Sequence, residues 1–587
     1  MQRAARSLAA RPADDIEIKD SGEVAAELEL DRGAFMEGST LDGVIILYLL
    51  IAAVMTLVIG FAALVLLQRS ILRHMAATRG APGSGAQLAE RSRTSASASL
   101  ALVAEDPAAA PSARDRTPLF RVALAHTVAG LAFAIVATFL LLILSGMELF
   151  PVRTAMVTWA QAWPTVLVLC LLVGPDRRLQ ILIVLGYVSM IAIICVLAQI
   201  RGADEIRLGS LTFPGFLNPV FYWAIESAPY VFLLLFLNRT VRAIGPLVLV
   251  FVFILLIGGH AATTALSNQP ILETVVRVTT ALGIGDYAFW LVISIGMLAA
   301  AWPAYRCVAV LRDRYAAKRS SEFLMTVSTI WLLSSLILAS SLTREQGAIG
   351  AVAAFLPILT WRAVLAMGLR RAVNEARARP PCRLLLLRVY GFGRRSRRLL
   401  DLLGSRWRLI GSIDLIAAPD LASRTVEPAT FLEFVRGRLA RLFIRTPEQL
   451  AERLATMDRA PDPDARFRIN QLFCSNGIWR EAVSRLMAET TLVVMDLRGF
   501  TLARQGCVYE LQTLLDTVPI ARLVFLFDRT SDCVALYKVL TDHWRQLDVT
   551  SPNLTTADTT IRFIDVTSSD IHAVRRLLAI AETAQDQ

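Results

Sequence analysis

Between Val44 and Leu369 the chain is a succession of apolar runs, each of roughly twenty residues, the length at which a helix crosses a hydrocarbon core of about 30 Å. The runs cover 44–67, 122–144, 155–173, 179–198, 219–237, 245–265, 287–304, 323–342 and 349–369, and predict nine membrane-spanning helices. After Arg370 the pattern changes. Short continuous apolar runs at 382–390, 408–413, 491–496, 522–527 and 561–566 alternate with amphipathic stretches at 394–403, 429–442, 447–457, 478–488, 506–515 and 532–546, and a last one ends near 582. Strands that are apolar on both faces and separated by helices predict a parallel sheet covered on both sides.

The fold class expected is therefore a polytopic α-helical membrane domain followed by a C-terminal α/β, flavodoxin-like, doubly wound domain, whose ligand crevice lies at the carboxyl ends of the strands. Four regions follow: an acidic N-terminal tail over 1–42, the multi-pass domain over 43–371, a linker within it over 80–118, and the α/β domain over 380–587. The linker is rich in Ala, Ser, Pro, Gly and Arg without a sustained apolar period, and is expected to be disordered.

Charge gives the spans a direction. Arg69, Arg73 and Arg79 follow the first run, Arg177 and Arg178 separate the third from the fourth, and Arg239 and Arg242 separate the fifth from the sixth. Arg312, Arg314, Lys318 and Arg319 follow the seventh, and Arg370 and Arg371 follow the ninth. These are alternate loops, and basic loops stay in the cytoplasm. In the tail before the first run, acidic residues outnumber basic ones, which suits translocation. The expected placement is a bacterial-type inner (plasma) membrane, with the N-terminus outside and the α/β domain cytoplasmic. The first run begins only after a long charged stretch, so it is expected to remain in the protein rather than act as a cleaved signal.

Composition agrees with the two halves: 55% of the residues are hydrophobic and 19% charged over 587 positions, too apolar for a soluble chain and too charged for a membrane protein throughout. The net charge of +11 is accounted for by the membrane-edge arginines, so nucleic acid is not an expected partner. The expected partners are the lipid bilayer and a second copy of the chain through its cytosolic domain. Seven cysteines without a CxxC pair and five scattered histidines predict reduced thiols and no metal site.

The stretch from Trp479 to Leu511 carries the most chemistry. An amphipathic helix opening Trp479-Arg480-Glu481 leads to a buried strand ending at Asp496, then the loop Leu497-Arg498-Gly499-Phe500-Thr501, then Gly506-Cys507-Val508-Tyr509-Glu510-Leu511 opening a helix. On that helix Val508, Leu511, Leu514 and Leu515 share the core stripe, and Glu510 falls at its edge. An apolar strand, a short polar loop and Cys-x-x-Glu-Leu at a helix start resemble the corresponding part of TIR domains. The resemblance covers about forty residues closely, and the rest of the domain in its alternation of elements. The region from Asp414 to Arg468 is longer than its counterpart in that family.

The resemblance implies that Glu510 is the catalytic carboxylate for cleaving the nicotinamide glycosidic bond of NAD, with NAD as substrate and no certain cofactor. A carboxylate suits that task because the transition state is oxocarbenium-like. From the residues alone, Glu510 reads as a carboxylate of the first helical turn, complementing the helix dipole and paired with Arg498 or Arg504. Cys507 reads as a small buried filler. Cofactor-binding candidates are Arg388, Tyr390, Gly391 and Gly393 at and after the end of the first strand, where a Gly-Phe-Gly turn meets the basic start Arg394-Arg395-Ser396-Arg397-Arg398, and Asp496 and Arg498 at and after the end of the third.

In the membrane half Glu226 is the one acid deep in a run, three residues before Pro229, and is a candidate polar site. Two functions follow. One is a membrane-anchored signalling or defence-type protein whose TIR-like domain binds or hydrolyses a nucleotide such as NAD. The other is a transporter or channel with a non-catalytic regulatory α/β domain.

Overall fold

The computed structural model describes residues 51–52, 54–75, 93–94, 100–105, 113–200, 206–208, 211–227, 233–234, 236–237, 239–266, 268–284, 287–388, 393–416, 428–475, 477–556, 559–567 and 570–585. Among the described residues, eight of the expected spans are helices long and apolar enough to cross a membrane, and the chain is a multi-pass membrane protein on that ground. In the order of the expected runs, these are spans 1 (Val54–Met75), 2 (Pro118–Leu144), 3 (Pro151–Val173), 4 (Arg177–Leu197), 6 (Ile244–Ala265), 7 (Ala288–Ala316), 8 (Glu322–Thr343) and 9 (Gln346–Ala378).

The fifth run is described in part: residues Asn218–Ser227 form a helix, and residues 233, 234, 236 and 237 have 3-10 geometry. Trp223 of that helix donates to the Tyr187 hydroxyl of span 4 at 2.8 Å, and Tyr187 donates to the Trp159 carbonyl of span 3 at 2.7 Å.

Spans 2, 3, 8 and 9 form the core of the membrane half, around Phe133, Trp331 and Trp361. Spans 6 and 7 approach closely because small residues face each other: a Cβ on Gly258 would lie 2.6 Å from the Gly296 carbonyl oxygen and 2.3 Å from the Ala300 Cβ.

The α/β domain is built on an eight-stranded parallel sheet. Its strands in chain order are β1 (Ala101–Glu105), β2 (Leu384–Arg388), β3 (Ile413–Ile416), β4 (Phe443–Ile444), β5 (Ile469–Cys474), β6 (Leu492–Asp496), β7 (Leu523–Phe527) and β8 (Thr560–Asp565). Across the sheet they run β1-β8-β7-β6-β2-β3-β5-β4. From β2 the chain winds outward through β3 on one side, then returns to lay β6, β7 and β8 on the other. That is a doubly wound, flavodoxin-like order, with β4 and β5 added beyond β3 by the long 414–468 region.

Alternation within each strand serves both faces. Leu385, Leu387, Val493 and Met495 pack against the helices Trp479–Glu489, Gln505–Thr517 and Cys533–Trp544. Leu384, Leu386, Leu492 and Val494 pack against Gly393–Arg406 and Asp570–Gln585. This is why Leu384-Leu385-Leu386-Leu387 is apolar at every position.

The 80–118 segment is not the uniformly disordered linker expected. Residues Ala101–Glu105 pair with β8 from Thr560 to Ile564, Arg93–Thr94 pairs antiparallel with Leu547–Asp548, and a helix begins at Ala113. A short run of Ala, Leu and Val has no period to announce a strand. It orders because β8 would otherwise leave a row of backbone groups unpaired at the sheet edge.

The α/β domain docks on one end of the membrane helices. Arg406 pairs with Asp176, between spans 3 and 4, at 3.3 Å, and Lys318 after span 7 pairs with Asp458. The turn before β5 plugs into the helix ends: Ser321 donates to Asp464 at 2.6 Å, Arg466 to the Leu172 carbonyl at 3.3 Å, and Arg468 to the Tyr315 carbonyl at 2.8 Å. Ala465, at the tip of this turn, takes a φ of +62°.

Candidate functional site

The strand order reverses at β2, with β3 on one side and β6 on the other, so the carboxyl ends of β2 and β6 flank the crevice position of such a sheet. Arg388 and Asp496, the last residues of these strands, are register partners. Four of the residues singled out from the sequence, Arg388, Asp496, Arg498 and Glu510, are buried at or after these strand ends. Tyr390 and Gly391 lie outside the described residues, and Gly393 is the first residue of the helix Gly393–Arg406.

Asp496 and Arg498 hold each other. Arg498 Nε and Nη2 donate to the two Asp496 oxygens at 2.7 Å each, and Arg498 Nη1 reaches Asp570 at 3.1 Å. Gly499 supplies the left-handed residue of the turn, with φ +67°, and Leu497 N–H continues onto the Leu526 carbonyl at 2.8 Å. The pair therefore ties the β6 loop to the first turn of the last helix, and its planar fork is spent on that task. Asp570 lies 3.6 Å from Arg398 as well, and burial pushes its carboxyl up against the opposing pull of both arginines.

Glu510 is placed differently. The helix begins at Gln505, so Glu510 sits in its second turn, and its Oε2 has no hydrogen-bond partner among the described residues. The pairing with Arg498 expected from spacing does not form, because Asp496 and Asp570 occupy that guanidinium. Burial pushes the Glu510 carboxyl up to about 8, and the positive charge of Arg388 only partly opposes it. A carboxyl that is buried, mostly protonated at neutral pH and short of one hydrogen bond is a costly thing to keep in a core.

Its neighbours explain part of the setting. Cys507, one turn earlier, is buried, and burial first and Glu510 second push its thiol up to about 12, with Arg504 pulling the other way. It packs as a filler in the core of that face. Tyr509 turns outward, where the Arg480 guanidinium lies 4.7 Å from its ring centre and Trp479 meets it edge-on at 5.5 Å. The helix is thus clipped at its surface by aromatic contacts while Glu510 faces in.

The sequence reading missed the turn before β5. Asp458, Asp464, Arg466 and Arg468 join the two halves of the molecule, and Asp462 braces Arg468 from within the turn; burial pushes Asp462 up to about 6 despite that contact. The signal available was the acid-base alternation Asp462-Pro463-Asp464-Ala465-Arg466-Phe467-Arg468 between two apolar runs. Glu226 is the penultimate residue of the helix Asn218–Ser227, and its side chain lies outside the described residues. Among the described residues no group of histidine, cysteine and carboxylate side chains could hold a metal ion.

No protein-family model, no curated protein and no solved structure matches this chain.

Proposed function

We propose that the chain is a membrane-anchored signalling or defence-type protein of a bacterial-type inner membrane, whose cytoplasmic α/β domain binds a nucleotide such as NAD at the carboxyl ends of β2 and β6. In its enzymic form Glu510 takes part in cleaving the nicotinamide glycosidic bond. The observation that carries this reading is the buried carboxyl of Glu510, with one oxygen unpartnered among the described residues, at the strand-order reversal of a doubly wound sheet. A pyridinium ring beside Glu510 would supply the missing positive charge and draw the carboxyl to its ionised form. As the bond from C1′ to the ring nitrogen breaks, the carboxylate stabilises the positive charge on the ribose, nicotinamide departs neutral, and water adds to C1′ with loss of a proton. Glu510 is closed to solvent in this conformation, so turnover requires the site to open.

Support for the orientation comes from charge. His74, Asp176 and Lys318, beside the basic loops after spans 1, 3 and 7, all contact the α/β domain, so those loops and the domain share one side.

The test is the NAD content of cells expressing the full chain. Wild type is expected to deplete NAD and Glu510→Gln to leave it intact. Unchanged NAD with folded, membrane-inserted wild-type protein removes the enzymic form.

The transporter or channel reading rests on the fifth run, where the helix Asn218–Ser227 carries Glu226 and is hydrogen-bonded through Trp223 and Tyr187 to span 3. It predicts that Glu226→Gln alters solute flux in proteoliposomes and Glu510→Gln does not.

A further inference from the structure

The α/β domain does not seal completely against the membrane helices. A cavity of about 50 Å³ remains between the ends of spans 2 and 9 on one side and the α/β domain on the other. Its membrane wall carries Arg121, Glu375 and Arg379, and its domain wall includes Leu409, Ile410 and Phe467. Arg121 is bonded to Glu375, and Arg371 approaches the same carboxylate at 3.5 Å. The lining holds two arginines against one acid, and Arg371 beside Glu375 adds a third positive charge, so the site is net positive.

Depth narrows what such a site would take. Arg121 is the last charged residue before the apolar run of span 2, and Glu375 lies about 9 Å of helix beyond the apolar end of span 9 at Leu369. That is the level of the lipid headgroups. The space admits a few water-sized groups, enough for a phosphate and its ester oxygens and too small for an acyl chain.

We infer that this cavity is the seat of the phosphodiester headgroup of an anionic phospholipid, held by Arg121 and Arg379 against the face formed by Leu409, Ile410 and Phe467. A phosphodiester carries negative charge to set against this positive excess, and basic pockets at helix ends on the cytoplasmic side suit it. The position gives the lipid a consequence. Phe467 follows Arg466, whose guanidinium donates to the Leu172 carbonyl at the end of span 3, and precedes Arg468, bonded to the Tyr315 carbonyl at the end of span 7. A headgroup in this cavity therefore fills the seam at the turn that fastens the α/β domain to the membrane half.

The experiment uses the full chain in phosphatidylcholine nanodiscs, with phosphatidylglycerol titrated in and thermal unfolding followed by tryptophan fluorescence. Phosphatidylglycerol is expected to raise the unfolding temperature saturably. Arg379→Gln and Arg121→Gln should each raise the half-saturating lipid fraction about fivefold, while Arg177→Gln, on the same membrane side outside the cavity, should leave it unchanged. Should Arg121→Gln fail to fold for want of its Glu375 partner, Arg379→Gln decides the matter. An equal response in Arg379→Gln and wild type, or a loss shared equally by Arg177→Gln, overturns the inference. Equal stabilisation by inorganic phosphate in pure phosphatidylcholine would assign the cavity to a soluble anion and overturn the lipid.

Discussion

Asp496 and Glu510 are equally buried, each 2% exposed, and belong to consecutive elements of one strand-loop-helix unit, yet they are held in opposite ways. Asp496 receives both arms of the Arg498 guanidinium at 2.7 Å. Glu510 has the more remote charge of Arg388 and an oxygen with no partner among the described residues. Burial alone decides nothing about a carboxylate; the donor placed beside it does. The first arrangement is a structural clamp. The second is an uncompensated cost that a ligand could relieve.

The largest expected effect comes from breaking the clamp. Arg498→Ala strands Asp496 and Asp570 without their shared cation, and should destabilise the α/β domain by about 3–5 kcal/mol in urea unfolding of the solubilised protein. If the loss is under about 1 kcal/mol, the pair is not the clamp described, and the contrast with Glu510 fails.

Next is the effect of pH on ligand binding. A cationic pyridinium favours ionised Glu510, which in the unliganded protein loses its proton only near pH 8. NAD affinity should therefore rise close to tenfold per pH unit between about pH 6 and 7.5, and flatten above 8. Calorimetry on Glu510→Gln should give a flat profile; a slope that persists there would move the titration to another group.

Stability carries a smaller imprint of the same proton. Between pH 4.5, the ordinary value, and about 8 the folded protein keeps a proton on Glu510 that the unfolded chain has released. Stability attributable to this group is complete below pH 4.5 and falls as pH rises to about 8. Glu510→Gln should remove that slope and raise the unfolding temperature by a few degrees at pH 8.5, with little change at pH 5. No gain at pH 8.5 would mean that the carboxyl is better satisfied than its surroundings indicate.

The smallest effect concerns the thiols. Cys533 is exposed at a helix start, whereas Cys507 is buried with its thiol pushed up to about 12. Iodoacetamide at pH 8 should label Cys533 in native protein and spare Cys507, as peptide mass spectrometry would show. Rapid labelling of Cys507 would indicate that the Glu510 pocket opens without ligand.

Much of this architecture was legible in the chain. Leu384 to Leu387, Leu492 to Met495 and Leu523 to Leu526 are strands that serve two faces, and their uninterrupted apolar pattern says so. Glu510 was marked by its place at the edge of a core stripe. Its lack of a partner was not, because that depends on Asp496 and Asp570 having already taken Arg498, and Asp570 is distant in sequence.

The chain by itself determined the features whose cause is local: apolar runs long enough to span a bilayer, basic loops between alternate runs, and the repeat of strands and helices after Arg370. Tertiary structure alone decided that Ala101–Glu105 joins the sheet, that Phe443–Ile444 and Ile469–Cys474 extend it past β3, and that the turn around Ala465 locks the two halves together. Each of these depends on a backbone group, a charge or a helix end far along the chain, and a local pattern carries no record of a partner it has not yet met.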